Sequence, residues 1–483
     1  MSSSLKRKTL GALTWSLVQE LSQRGLQFVI GIVLARLLGP KEFGMLAMLT
    51  IFIAVSQALV DSGFGSALIQ RKEPTEADEC SVFYFNIFLG FLMAGLLCLA
   101  APWIAQFYDQ PQLTSLVRAL SAVLIINSIS VVQNALMVRR LDFKRQAIVA
   151  VASMSVSGVT ALILAWRGFG VWSLVAQQII ASAVRTVMLW RINTWRPKWI
   201  FSVKSLRELF GFGSGMMASA LTNRIFDNLT SLVIGKAFSA VTLGFYSRAV
   251  TLQDTVSQSL ANVANRVTFP VFSQLQHDPE RMKRGLRKAM TTLAFVQFPL
   301  LIGLAAVAKP LILFLLTEKW APSIPYLQLL CFAGLLYPVH LLNLNVLTAL
   351  GRSDLFFRVG VIKRVVQVIT LLITFRWGVL AMVWGQVANS VLAFFINSYY
   401  TKRFIGYSIP SQLRDLSPYC AAASVMGLIV HLANLPLAPG NIVQIAFKVL
   451  LGMIIYLALS RSLKLPALTE ITSFFRSRFA VSA

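Results

Sequence analysis

The sequence predicts an all-α integral membrane protein of about fourteen transmembrane helices, arranged as two six-helix bundles related by a pseudo-twofold along the membrane normal, plus two C-terminal helices. Three observations predict it. About fourteen apolar stretches, each near the roughly 20 residues that a helix needs to cross a bilayer, fill the chain and leave short connections. The basic residues fall mostly in alternate connections. The chain also resembles itself at an offset of 200 residues. A hydrophobic content of 57% and a mean hydropathy of +0.71 exceed the roughly 45–50% apolar content of soluble chains. Lipid offers no partner to a bare N–H or C=O, so stretches of this kind must satisfy their backbone as helices.

In order, the expected spans begin with 10–35, which follows Lys6-Arg7-Lys8 and carries Gln19, Glu20, Gln23 and Arg24. It lacks the short apolar core and small-residue cleavage site of a signal peptide, so a retained first helix is expected. Span 43–68 runs from the turn at Gly39-Pro40 to Arg71-Lys72, and spans 81–104 and 113–138 carry the chain to Arg139-Arg140-Lys144-Arg145. Spans 146–166 and 170–190 flank Arg167 and end at the basic segment Arg191 to Arg207. Spans 209–235 and 244–272 flank Lys236 and end at the cluster Arg281 to Lys288. Spans 290–316, 324–350, 355–375 and 378–400 follow, with Lys309, Lys319 and Arg376 on the opposite side and Lys402-Arg403 closing them. The last two, 416–433 and 442–461, lead into the basic tail Arg461 to Arg478. Where 350–355 and 375–378 nearly abut, short connections imply antiparallel neighbours.

The net charge of +26 first suggests a nucleic-acid partner. Its placement argues for membrane topology instead, because positive residues favour cytoplasmic loops. Both termini are therefore expected in the cytoplasm, and the runs RMKRGLRK (281–288) and Arg191–Arg207 read as juxtamembrane signals beside anionic lipid rather than nucleic-acid patches. Four cysteines without a CxxC pair and three isolated histidines suggest neither a disulfide framework nor a metal site. Gly235-Lys236 is similar to part of a phosphate-binding loop, but Thr230 and Ala237 occupy positions that need Gly and Ser/Thr. No catalytic motif is found, and no enzyme activity is expected.

In the internal repeat, IVLARLLGPKEFGML (32–46) runs parallel to LVIGKAFSAVTLGFY (232–246), with Arg24 matching Arg224, Arg36 matching Lys236 and Gly44 matching Gly244. An even number of helices separates the copies, so both enter the membrane in one direction, and a site at the interface of two parallel bundles is expected. The implied division is 1–200, 201–405 and 406–483, the last being the two additional helices and the tail.

Charges inside spans cost about 2.5–3.5 kcal/mol each on insertion scales and normally face a bundle interior or watery cavity. Ser16, Gln19, Glu20, Gln23 and Gln27 share a face of the first helix with Arg24 at its border, and Thr50, Gln57 and Asp61 share one on the second. The seventh offers Ser219, Asn223, Asp227 and Thr230 with Arg224, and the eighth Gln253, Asp254, Ser257 and Asn265 with Arg266. Arg118, Arg185, Arg248 and Lys448 are further cations within spans. The bland readings are a structural Glu20–Arg24 pair at i, i+4 and amides that glue helices together.

The segments LARLLGPKEFGMLAM (34–48) and LVDSGFGSALIQRKE (59–73), with the turn Leu38-Gly39 to Phe43-Gly44, resemble the Wzx-type polysaccharide flippases of the multidrug/oligosaccharidyl-lipid/polysaccharide exporter superfamily, in the branch of colanic acid and teichuronic acid exporters. The resemblance implies transport of undecaprenyl-diphosphate-linked oligosaccharide to the periplasmic leaflet of the bacterial inner membrane. It implies Arg24, Arg224, Arg248 and Arg266, with Gln23, Gln27, Gln57, Asn223 and Gln253, as substrate-binding candidates. Glu20, Asp61, Asp227 and Asp254 are the implied ion-coupling candidates. No cofactor is expected; a proton or sodium gradient is the implied energy source. The implied partners are the lipid-linked substrate, membrane lipids, a polysaccharide polymerase and a chain-length regulator. The alternatives are a flippase for a lipid-linked peptidoglycan precursor, a multidrug exporter of the same fold, a membrane-bound polymerase and a scaffold for a synthesis complex.

Overall fold

The computed structural model describes residues 20, 22–436 and 441–470. Ser16, Gln19 and the Lys6–Lys8 run lie outside them. The described residues contain no strand, as backbone self-satisfaction in lipid requires. The helices are α1 (22–37), α2 (Pro40–Asp61), α3 (Phe64–Gln70), α4 (Glu76–Phe107), α5 (Leu113–Ser128), α6 (Val131–Arg139), α7 (Phe143–Trp166), α8 (Val171–Ile192) and α9 (Val203–Ala237). They continue with α10 (Ala240–Gln274), α11 (Pro279–Ala306), α12 (Ala308–Leu316), α13 (Ile324–Gly334), α14 (Tyr337–Ala349), α15 (Ser353–Thr374), α16 (Val379–Ile405), α17 (Ile409–Leu432) and α18 (Ile442–Ser462). Among the described residues nine helical stretches are long and apolar enough to cross a membrane, ten if the bent pair α5–α6 counts as one span. Among the described residues helix occupies most of each expected span from 43 onward and 22–35 of the first; α9, α10 and α15, which charged and amide side chains interrupt, fall below that standard, as does the described part of α1.

Local chemistry sets the ends. The Gly39 N–H donates to Glu42 Oε2 at 2.9 Å ahead of Pro40, the first residue of α2. Thr75 and Asp78 cap one another at the start of α4. Asp142, Ser202, Asp278, Ser408 and Asn441 cap α7, α9, α11, α17 and α18. In the α8–α9 connection Lys198 pairs with Glu76 at 2.7 Å, a hydrogen bond that raises the ammonium above its ordinary range.

Two compact units emerge, Met1–Gly244 and Phe245–Ala483. α9, expected to open the second bundle, packs on α2, α3 and α4 and so groups with the first unit. In that unit α4 lies on α5, α7 on α8 and α2 on α9. In the second unit α11 packs on α17, α13 on α16, and α15 on α16. Its core runs from Phe272 and Met282 through Phe295 and Phe394 to Tyr456.

The repeat is visible in the backbone. Helix stops at Leu37 and at Ala237, breaks for two residues, and resumes at Pro40 and Ala240. A Cβ on Gly44 would overlap the carbonyl oxygen of Ala240, and one on Gly244 would overlap that of Pro40. Matching positions thus exchange roles across the contact, the mark of a twofold relation.

Candidate functional site

Asp61 closes α2, and Ser62 and Gly63 follow with left-handed φ of 47° and 70°. Glycine is needed at 63 for that φ and because the Gly213 carbonyl of α9 fills the space a Cβ would take. The Ser62 hydroxyl donates to buried Asn86 Oδ1 at 2.8 Å and pins the break to α4. One turn back, Gln57 Nε2 donates to Asp61 Oδ1 at 3.0 Å, while Gln57 Oε1 accepts from Asn127 Nδ2 of α5 at 2.8 Å. Both amide ends of Gln57 are thereby used, and the Asp61 carboxylate is aimed.

A cavity of about 400 Å³ opens beside this chain, walled by α2, α5, α8 and α9, with Thr50, Gln57, Asp61, Asn127, Gln178 and Arg224 among its polar lining. A neighbouring cavity of about 320 Å³ shares Gln57, Asp61, Gly63, Ser66 and Asn127 and adds Ser130, Asn134 and Arg185. Arg185 donates to Asn134 Oδ1 at 3.3 Å, an oxygen that also accepts from Gln146 Nε2 at 3.4 Å. Both Arg185 and Arg224 act electrostatically on Asp61. Among the described lining residues of the two cavities, two guanidinium groups therefore face one carboxylate. With reduced dielectric this excess positive charge favours an anion, and guanidinium matches phosphate or carboxylate geometry. The lining amides supply donors and acceptors for hydroxyl groups.

The sequence profile of the family described as "Polysaccharide biosynthesis protein" matches residues 33–325, more than half of the chain. The chain belongs to this family. It is 26% identical over 462 residues to the teichuronic acid biosynthesis protein TuaB of Bacillus subtilis (strain 168), covering 94% of this chain and 96% of TuaB. It is 29% identical to the succinoglycan biosynthesis transport protein ExoT of Rhizobium meliloti (strain 1021), with 92% and 91% covered. It is 28% identical to the lipopolysaccharide biosynthesis protein WzxC of Escherichia coli (strain K12), with 81% of each covered. In fold it is similar to the lipid II flippase MurJ in its inward closed conformation, with a TM-score of 0.74, 13% identity, and 95% and 98% of the two chains covered. It is also similar to an inward-facing MATE family transporter of the MOP superfamily, at a TM-score of 0.60, 16% identity, and 80% and 98% covered. The resemblance to Wzx-type flippases holds, and the chain is a multi-pass membrane protein of a polysaccharide biosynthesis family with a transporter fold.

Against this family setting, the polar faces read from sequence fall into three groups. Gln57, Asp61 and Arg224 meet at the cleft. Arg24 instead pairs with Glu20 at 3.3 Å along α1, and neither it nor Gln23 or Gln27 lines the two cavities. Asn223 and Asp227 are exposed on α9 beside Arg224 but outside both linings. In the second unit, Gln253 is buried, donates to Ser257 Oγ at 2.6 Å and lies against Gly334, contacts that brace helices, and it lines neither of the two cavities. Asn265 likewise accepts from Asn345 at 2.8 Å. Arg248 and Asp254 are half-buried on α10, and the Arg266 side chain lies outside the described residues. Asn127, Asn134, Gln178 and Arg185 complete the cleft without having been among the substrate-binding candidates. Only the charge of Arg185 marked it in the sequence; the others are neutral amides of the kind that also join helices to one another.

Proposed function

We propose that this protein flips undecaprenyl-diphosphate-linked oligosaccharide units from the cytoplasmic to the periplasmic leaflet of a bacterial inner membrane by alternating access. The observation that supports it best is the cleft in which Arg185 and Arg224 face the single acid Asp61. A bare sugar hydroxyl entering hydrocarbon costs about 4–8 kcal/mol on a cyclohexane scale. An unpaired diphosphate charge costs on the order of 20 kcal/mol per ion in the idealised limit. A hydrated groove with two guanidinium groups offsets the second cost, and its amides offset the first, while the prenyl chain stays in lipid.

Asp61 gives the groove a means of coupling. It competes with the diphosphate for the same two arginines, so a proton or sodium ion on Asp61 favours substrate, and substrate favours the ion by the same factor. Glu20, Asp227 and Asp254 lie outside the linings and take no part in this scheme. A polymerase and a chain-length regulator would receive the delivered unit, and both termini would lie in the cytoplasm. Export of organic cations fits poorly, because such a ligand wants excess acid where this cleft has excess guanidinium.

The test is flipping of a fluorescent polyprenyl-diphosphate oligosaccharide in proteoliposomes, read with a membrane-impermeant quencher. Arg224→Gln and Arg185→Gln should each slow flipping about tenfold or more, the loss of one charge-assisted contact. Arg24→Ala, outside the cleft lining, should change it less. Wild-type rates in both cleft variants, with intact folding, would overturn the proposal.

A further inference from the structure

The second unit carries a cation for which the described residues supply no counterion. Lys363 stands ten residues into α15, so about 15 Å along it. It is half-buried and has no hydrogen bond or ion pair among the described residues. Its charged neighbour is another cation, Arg364. Lys363 also acts electrostatically on His340 of α14. The His340 Nε2 lies 3.3 Å from Ser390 Oγ of α16, and its Nδ1 is buried without a partner. One turn back on α15, a Cβ at Gly360 would meet nothing within 4 Å, so the helix surface is open there. The surrounding seam is polar but already paired: Thr370 donates to Asn389 at 2.8 Å, and Gln386 donates to the Tyr246 hydroxyl at 3.0 Å. An uncompensated ammonium at this depth is expensive and by default marks a ligand path.

We propose that Lys363, with His340 and Ser390, forms an anion site in the second unit that takes the carboxylate of an acidic sugar in the transported oligosaccharide. The inference rests on the transport function proposed above and assigns it a substrate class. A lone ammonium with one imidazole suits a single carboxylate, whereas a diphosphate is better matched by the guanidinium pair of the first unit.

The experiment is calorimetric titration of the purified full chain in detergent with sodium glucuronate, glucose and sodium pyrophosphate. Wild type should bind glucuronate and not glucose. Lys363→Met should weaken glucuronate about tenfold or more, Lys363→Arg should largely restore it, and Arg224→Gln should weaken it less than Lys363→Met does. Pyrophosphate should show the reverse, weakened by Arg224→Gln and retained by Lys363→Met, which also proves that variant folded. Equal glucuronate binding by wild type and Lys363→Met overturns the site, as does wild type that binds no glucuronate or binds glucose equally well. Pyrophosphate binding lost with Lys363→Met makes this a phosphate site and overturns the carboxylate assignment. Failure of pyrophosphate alone strikes the diphosphate cleft and leaves the Lys363 pattern standing.

Discussion

At the scale of single residues, the cleft depends on how Gln57 is held. Its amide joins Asn127 of α5 to Asp61 of α2, so removing it frees the carboxylate to rotate away from the arginines. A hydrogen bond to a charged group contributes about 1.5–3 kcal/mol. Gln57→Leu should therefore slow flipping several-fold. Because Gln57 and Asp61 act as one unit, Gln57→Leu added to Asp61→Asn should cost little more than the larger single change, with a coupling of about 1 kcal/mol. Rates of the two single variants and the double variant in proteoliposomes measure this, and strict additivity would show the contact to be idle. Gln57 and Asp61 were legible in the sequence because i, i+4 spacing puts both on one helical face. Asn127 and Arg185 reach the same cleft from α5 and α8, and no spacing within one helix can announce a meeting of that kind.

At the scale of elements, the helices were legible and their breaks were not. The span expected over 113–138 bends by 44° between α5 and α6 without proline or glycine. The Ser128 hydroxyl donates to the Ile125 carbonyl at 2.7 Å and that of Ser130 to Asn127 at 2.9 Å, competing with the helix ladder at the break. The break between α13 and α14 has a proline cause: Pro338 has no N–H for the carbonyl of Gly334. That carbonyl accepts from buried Gln297 Nε2 at 2.9 Å instead. Gln297→Leu strands it and should cost about 1–3 kcal/mol, seen as a lower midpoint in a detergent thermal-stability assay, while Leu300→Ala on an exposed face should shift it less. The glycine turns predict more. Gly44→Val and Gly244→Val each push a side chain into a backbone carbonyl that cannot rotate aside, so both should lower the midpoint by an amount typical of overpacking, about 1–3 kcal/mol or more. Gly25→Ala, with nothing within 4 Å of the added carbon, is the control that should not. A Gly44→Val protein as stable as wild type would mean that the reciprocal approach of the two turns is not tight in the membrane.

At the scale of the whole molecule, fold class follows from hydropathy alone, but the grouping of helices does not. The repeat places a boundary near 200, whereas compactness places it after Gly244, because α9 is held to α2 and α3 by contacts such as Gly63 on Gly213 that join residues 150 positions apart. What the repeat does predict is direction. The turns at 38–39 and 238–239 occupy matching places in the two copies and pack reciprocally, Gly44 on Ala240 and Gly244 on Pro40. A twofold along the membrane normal requires both turns on one side, and the topology proposed above puts that side, with its few basic residues Arg36, Lys41 and Lys236, in the periplasm. On that proposal the basic segments at Arg139–Arg145, Arg281–Lys288 and Lys402-Arg403 would face the cytoplasm. Alkaline phosphatase fused after residue 38 and after residue 238 should be active in both cases, while fusions after residues 143 and 283 should be inactive and fluoresce when green fluorescent protein replaces the enzyme. Activity at only one of the two turns would make the repeat inverted rather than parallel. The axis would then lie in the membrane plane, and a rocking motion between parallel halves could no longer carry a headgroup across.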